Sequence, residues 1–156
     1  MRAKLPWLGT AARFGLAVVW LVAGATKVGD LAAAGRAVAA YHVMPFEVAK
    51  VVGAALPFVE LALGVLLLLG VATRLVAGIS AAILAIFVAG IVSAWARGLA
   101  IDCGCFGGDG SLAAGARPRY GAEVARDAGF LLLAGLLLAI RRTRLSVDEL
   151  LERRDG

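Results

Sequence analysis

The sequence predicts an all-α integral membrane protein, a four-helix bundle that crosses the bilayer about four times. Of 156 residues, 62% are hydrophobic and only 17% charged, whereas soluble domains carry roughly 45–50% apolar and 25% charged residues. The mean hydropathy is +0.90. The apolar residues also arrive in blocks about as long as a membrane span: some 20 residues rising 1.5 Å each match a hydrocarbon core of about 30 Å. Short charged or Gly-rich segments separate the blocks. The length fits a single domain, placed at residues 1–145, with a short tail at 146–156.

The first block runs from about Leu8 to Thr26 and closes on Lys27, Gly29 and Asp30. Its end, Ala23-Gly24-Ala25, also fits the small-x-small rule for signal-peptide cleavage, so a removed leader is the rival reading. Arg13 and the glycines suit a first bundle helix better than a signal core. Residues 28–50 are less hydrophobic; their Ala-rich first half suits a short interfacial helix, which Pro45 is expected to end. The second span covers about 51–71, interrupted by Pro57 and Glu60. A tight turn with Thr73 and Arg74 leads to the third, about 75–96, and is expected to make the two antiparallel neighbours. The Gly-rich segment 97–123 precedes the fourth span, about 124–140. The tail SVDELLERRDG reads as a short amphipathic helix or a frayed end.

A net charge of +5 suggests nucleic acid in a soluble protein, but here the basic residues flank apolar blocks, where they set topology. There is no interleaved aromatic and basic stripe of the kind that grips single strands, so no nucleic-acid partner is expected. Arg2, Lys4, Arg141, Arg142 and Arg144 place both termini in the cytoplasm of a plasma-membrane protein. The loops 28–50 and 97–123 then face outward. Arg97, Arg117 and Arg119 weaken that bias.

Both cysteines fall in one tripeptide, Cys103-Gly104-Cys105, and the glycine lets the backbone fold sharply enough for the sulfurs to meet. A bridge across one residue closes a very small ring, and departures from relaxed geometry make a disulfide easier to reduce. Strained, exposed bridges are the labile or catalytic ones. Asp102, directly before the pair, is a candidate proton relay. Its charge raises a neighbouring thiol pKa unless Arg97, Arg117 or Arg119 offsets it. The bland alternative is a pair of small residues packed in a turn. Two thiolates also begin a soft-metal site, but His42 lies in another loop and the methionines are Met1 and Met44, so no metal is expected.

Glu60 lies near the middle of the second span, where a carboxylate is a functional-site hypothesis by default. Lys27, Arg126 and Asp127 are its candidate partners near the outer leaflet. The competing role is a polar clasp that fixes helix packing. Tyr41, His42 and Trp95 read as interfacial anchors.

Gly24-Ala25-Thr26-Lys27, Leu56-Pro57-Phe58-Val59-Glu60, Gly70-Val71-Ala72-Thr73-Arg74, Asp102-Cys103-Gly104-Cys105-Phe106-Gly107 and Arg126-Asp127 together resemble the DoxX-like and methylamine-utilisation MauE membrane proteins. The resemblance covers most of residues 10–140, and the Cys-Gly-Cys-Phe-Gly element favours the MauE branch. It implies a four-helix membrane protein that works with an extracytoplasmic thioredoxin-like partner in maturing exported proteins such as methylamine dehydrogenase. The plan is similar to that of the quinone-linked oxidoreductases DsbB and vitamin K epoxide reductase, although those use two cysteine pairs and this chain has one. The expected function is therefore thiol–disulfide oxidoreduction. Cys103, Cys105 and Asp102 would be the catalytic residues, and Glu60, Lys27, Arg126 and Asp127 would line a cavity for a quinone. The alternatives are a non-enzymatic assembly factor for a secreted client and, less well supported by the ligand inventory, a small-solute or metal carrier.

Overall fold

The computed structural model describes residues 5–140 and 143–152. Among them are six helices and no strands: α1 (Leu5–Val28), α2 (Leu31–Ala39), α3 (Phe46–Leu69), α4 (Thr73–Ala96), α5 (Tyr120–Ala139) and α6 (Val147–Glu152). Helices α1, α3 and α4 have 24 residues each and are long and apolar enough to cross a membrane, which makes the chain a multi-pass membrane protein. Helix α5 has 20 residues and differs in carrying Glu123, Arg126 and Asp127 near its start. All four begin two to five residues earlier than their apolar blocks, with Pro6, Glu47, Lys50, Thr73, Arg74 and Glu123 among the residues added at their starts.

Local chemistry sets the breaks. The Asp30 carboxylate accepts the Ala33 N–H at 2.8 Å and caps α2, an ordinary N-cap bond. Pro45 does not end α2, as expected from the sequence. That helix stops at Ala39, and Pro45 is the N-cap of α3, a place where a missing N–H costs nothing. Helix α3 ends at Gly70, whose φ of 68° is the left-handed turn that glycine adopts freely. The second span therefore stops short of 71.

Helix α3 packs chiefly on α1 and α2, and α4 chiefly on α5, which also touches α1. The turn at 70–72 joins α3 and α4 without making them closely packed neighbours; they touch little. Glycine explains the choice of partner. A Cβ on Gly24 would stand 2.8 Å from Pro57 O, and one on Gly64 would stand 3.0 Å from Leu21 N, so α1 and α3 approach backbone to backbone as small residues permit. The shared core contains Leu16, Trp20, Leu67, Leu84 and Leu137. Within it the indole of Trp20 donates to Ser80 Oγ at 2.9 Å, tying α1 to α4.

At the turn end of the bundle, Arg13 is fully buried. Its guanidinium donates to Leu67 O at 2.6 Å, Leu68 O at 2.9 Å, Arg144 O at 3.2 Å and Leu145 O at 2.8 Å. It thus satisfies carbonyls that the end of α3 leaves open. The Asp148 carboxylate accepts the N–H groups of Ala72 and Thr73 at 2.8 and 2.9 Å, capping α4. The tail is docked here and is not frayed over its described part. Arg2, Lys4, Arg141 and Arg142, on which the expected topology rests, lie outside the described residues, as do residues 153–156. The segments 29–45 and 97–119 meet at the opposite end.

Candidate functional site

At that opposite end the segment Ile101–Gly110 is folded over α2. Asp102 N–H donates to Gly110 O at 3.1 Å and closes the loop. The Asp102 carboxylate accepts Gly104 N–H at 2.9 Å. Asp102 thus shapes the turn between the cysteines, and its polar contact is with the backbone and not with a thiol. Gly104 has φ of +66°, and a Cβ there would meet Ala37 Cβ at 2.7 Å, so the position requires glycine for both backbone and space. Two tyrosines fix the rest. Tyr41 OH donates to Cys103 O at 3.1 Å. Tyr120 OH accepts Ile101 N–H at 3.2 Å and donates to Leu99 O.

Cys103 and Cys105 are unbonded thiols, each partly buried. They stand in one tripeptide, and their surroundings differ. Arg126 Nη2 stands 3.7 Å from Cys103 Sγ. Cys105 Sγ lies 3.8 Å from Asp127 Oδ2 and 3.9 Å from Cys103 O. Arg126 Nε also donates to Asp127 Oδ1 at 2.8 Å, and its guanidinium covers the Phe106 ring at 4.9 Å. Interaction with the neighbouring Cys105, with help from Arg126, holds the Cys103 thiol below its ordinary pKa despite burial. The same interaction and burial push the Cys105 thiol up.

Sequence reasoning looked for the balancing cation in Arg97, Arg117 or Arg119; the cation on a sulfur is Arg126. Arg97 instead donates to Tyr41 O at 2.5 Å and Ser93 O at 3.2 Å. Glu60 and Lys27 do meet, at 2.5 Å, with 0% and 4% of their side chains exposed. The second Glu60 oxygen has no partner among the described residues. The four charged residues thus form two separate pairs, one joining α1 to α3 and one within α5.

An apolar cavity of about 290 Å³ lies between α2, α3 and α4, where α3 and α4 part. Val52, Leu56, Ile86 and Phe87 line it, and Lys27, Cys103 and Cys105 stand in its wall. Of the four residues expected around a cavity, Lys27 alone is in this wall. Glu60 pairs with Lys27, and Arg126 and Asp127 contact the sulfurs. Such a volume suits a planar ring better than a whole prenylated lipid, since pockets for drug-sized ligands start at about 300 Å³.

Sequence reasoning missed two site residues. Tyr41, read as an anchor, holds the Cys103 carbonyl and lines the cavity, and nothing in its local sequence distinguishes the roles. Glu123 is the carboxylate whose charge opposes thiolate at Cys103. Its signal was present, because residues three and four apart share a helix face, which groups Glu123 with Arg126 and Asp127.

Searches among curated proteins and among solved structures give no match for this chain. The family model described as methylamine utilisation protein MauE matches residues 5–140. With that match over most of its length, and with the Cys-Gly-Cys loop folded at the end of its apolar helices, the chain belongs to the MauE family.

Proposed function

We propose that this protein is a membrane thiol–disulfide redox protein in which Cys103 and Cys105 cycle between dithiol and disulfide at the extracytoplasmic face. The observation that carries the reading is the placement of two neighbouring free thiols, one under a guanidinium, in the wall of an apolar cavity within a membrane-embedded fold. Packing alone would not require a cation on a sulfur. In the oxidising direction a thioredoxin-like partner's dithiol loses two electrons to the Cys103–Cys105 disulfide by way of a mixed disulfide. The partner leaves oxidised and the Cys103–Cys105 pair is left as a dithiol.

A quinone, when bound, supplies a two-electron, two-proton acceptor. The apolar wall of Val52, Leu56, Ile86 and Phe87 would hold its ring beside the thiols, and the gap between α3 and α4 would admit its chain from the lipid. Lys27 would face a ring oxygen. Glu60 keeps the Lys27 ammonium in place and offers its unpartnered oxygen as a proton site; undiminished turnover in Glu60→Gln would remove that second role.

Helix α5 forms the fourth crossing in this reading, which makes residues 1–145 one four-helix domain. From Phe130 onward α5 is wholly apolar, and its charges stay near the outer surface with the dithiol. Both termini are then cytoplasmic. Membership of the MauE family points to methylamine utilisation, so the proposed beneficiary is an exported protein such as methylamine dehydrogenase.

The test is thiol trapping in intact cells and isolated membranes with a bulky impermeant maleimide, before and after reduction and with added quinone. The reading expects labelling only after reduction, lost again when quinone is added. Thiols that stay reduced under every condition would overturn it and leave a non-enzymatic assembly factor, a role that Cys103→Ser and Cys105→Ser would then not abolish.

A further inference from the structure

We infer that the two cysteines are not interchangeable: Cys103 is the thiol that attacks and is attacked from outside, and Asp127 is the base that exchanges a proton with Cys105. This rests on the redox reading above but adds the order of events and a residue for the internal step.

The geometry is asymmetric at both sulfurs. Cys103 Sγ has Arg126 Nη2 at 3.7 Å, and a positive charge there favours thiolate, the nucleophilic form. Cys105 Sγ faces the opposite charge, with Asp127 Oδ2 at 3.8 Å. A thiol beside a carboxylate keeps its proton until something takes it. Asp127 is only 2% exposed, so bulk water does not compete for the role. Its other oxygen is held at 2.8 Å by Arg126, which fixes the carboxylate edge toward Cys105. One arginine thus orders both halves of the pair. The shifts of the two thiols, down for Cys103 and up for Cys105, agree with this arrangement. The other titratable groups around the pair are Glu123 on α5, which opposes thiolate at Cys103, Tyr41 on the Cys103 carbonyl, Asp102 on the Gly104 N–H and Lys27 across the cavity wall.

Starting from the dithiol and a disulfide of the partner, the Cys103 thiolate forms a bond to one partner sulfur. The partner's S–S bond breaks, and its other sulfur leaves as thiolate with the electron pair. Cys105 then passes its proton to Asp127 Oδ2, and the new thiolate attacks Cys103 Sγ. The internal S–S bond forms, the mixed disulfide breaks, and the second partner sulfur leaves as thiolate. Two electrons have moved from this chain to the partner. The proton on Asp127 goes to the departing thiolate. In the opposite direction a partner thiol gives its proton to Asp127 and its thiolate attacks Cys103 Sγ; Cys105 leaves as thiolate and takes that proton from Asp127, and the partner's second thiolate then attacks the partner sulfur of the mixed disulfide, so that Cys103 leaves as thiolate and the partner as disulfide.

The test uses the full-length reduced protein in detergent with dithiobis(nitrobenzoate), an aromatic disulfide that releases one coloured thiolate on attack and a second on ring closure. Wild type should release both. Asp127→Asn should keep the first burst and slow the second by about a hundredfold, the scale of a lost general base, with the adduct found by mass spectrometry on Cys103. Arg126→Met should slow the first burst and move its pH profile upward. Equal closure rates in wild type and Asp127→Asn, or an adduct on Cys105, would overturn the assignment. If Asp127→Asn fails to fold, limited alkylation of wild type as a function of pH decides: Cys103 labelled first at the lower pH supports the assignment, and Cys105 first overturns it. Neither quinone nor a protein partner is present. Normal closure without quinone-dependent cycling in membranes would therefore remove the quinone reading alone, and quinone cycling with unchanged closure in Asp127→Asn would remove this one alone. A wild type that never closes its pair would remove both.

Discussion

Replacing Gly104 with alanine tests how the dithiol is positioned. The residue sits at φ +66° and its Cβ would lie 2.7 Å from Ala37 Cβ. Left-handed backbone costs an L-residue about 1–2 kcal/mol, and forcing a methyl into a filled space costs about 1–3 kcal/mol. Gly104→Ala should therefore destabilise the folded loop by about 2–5 kcal/mol. The two contributions separate in a double-mutant cycle, because Ala37→Gly removes the clash and leaves the backbone penalty. Alone, Ala37→Gly should cost about 1 kcal/mol of helix propensity in α2. The pair should be less impaired than the two single effects summed, by an interaction energy of about 1–3 kcal/mol. Denaturation in detergent followed by tryptophan fluorescence gives the stabilities, and the closure rate with dithiobis(nitrobenzoate) reports the local geometry. Strict additivity would refute the claim that the loop is pressed onto α2 at this point. A Gly104→Ala variant as stable and as quick to close as wild type would refute the placement of the loop altogether.

Glu60→Gln leaves the Lys27 ammonium buried without its counter-charge and should cost about 3–5 kcal/mol. Lys27→Met combined with Glu60→Met should recover most of that loss, and equal thermal stability of Glu60→Gln and wild type in detergent would show that the pair is not buried as described. Leu56→Trp, which fills the cavity from α3, should block quinone-dependent reoxidation while leaving both phases of the small-disulfide reaction intact; undisturbed reoxidation would place the acceptor elsewhere. Arg13→Met removes the donor shared by Leu67, Leu68, Arg144 and Leu145. Each hydrogen bond to a charged group contributes about 1.5–3 kcal/mol, so residues 143–148 should gain rapid hydrogen exchange and protease sensitivity, and unchanged protection of that segment would contradict the docking.

The membrane class, the positions of the apolar helices, the Lys27 and Glu60 partnership and the Cys103-Gly104-Cys105 motif that marks the family are all legible in the sequence. These are properties of one segment, or of charges so costly in lipid that they must find each other. The family resemblance was legible for the same reason, since its motifs are local runs of residues.

Which helices pack was not legible. The tight turn after Gly70 suggested that α3 and α4 stay together, but Gly24 and Gly64 draw α3 onto α1 and leave a gap that becomes the cavity. Nor did the sequence separate Arg126 from Arg97, Arg117 and Arg119 as the cation on a sulfur, or show that Tyr41 serves the loop and that Arg13 holds the tail. Those assignments join residues far apart in the chain across a few ångströms. Hydropathy and local spacing determine that a segment lies in the membrane and which of its residues share a face. Which way that face turns is decided by the competition of all helices for close contact, and only the assembled tertiary structure resolves it.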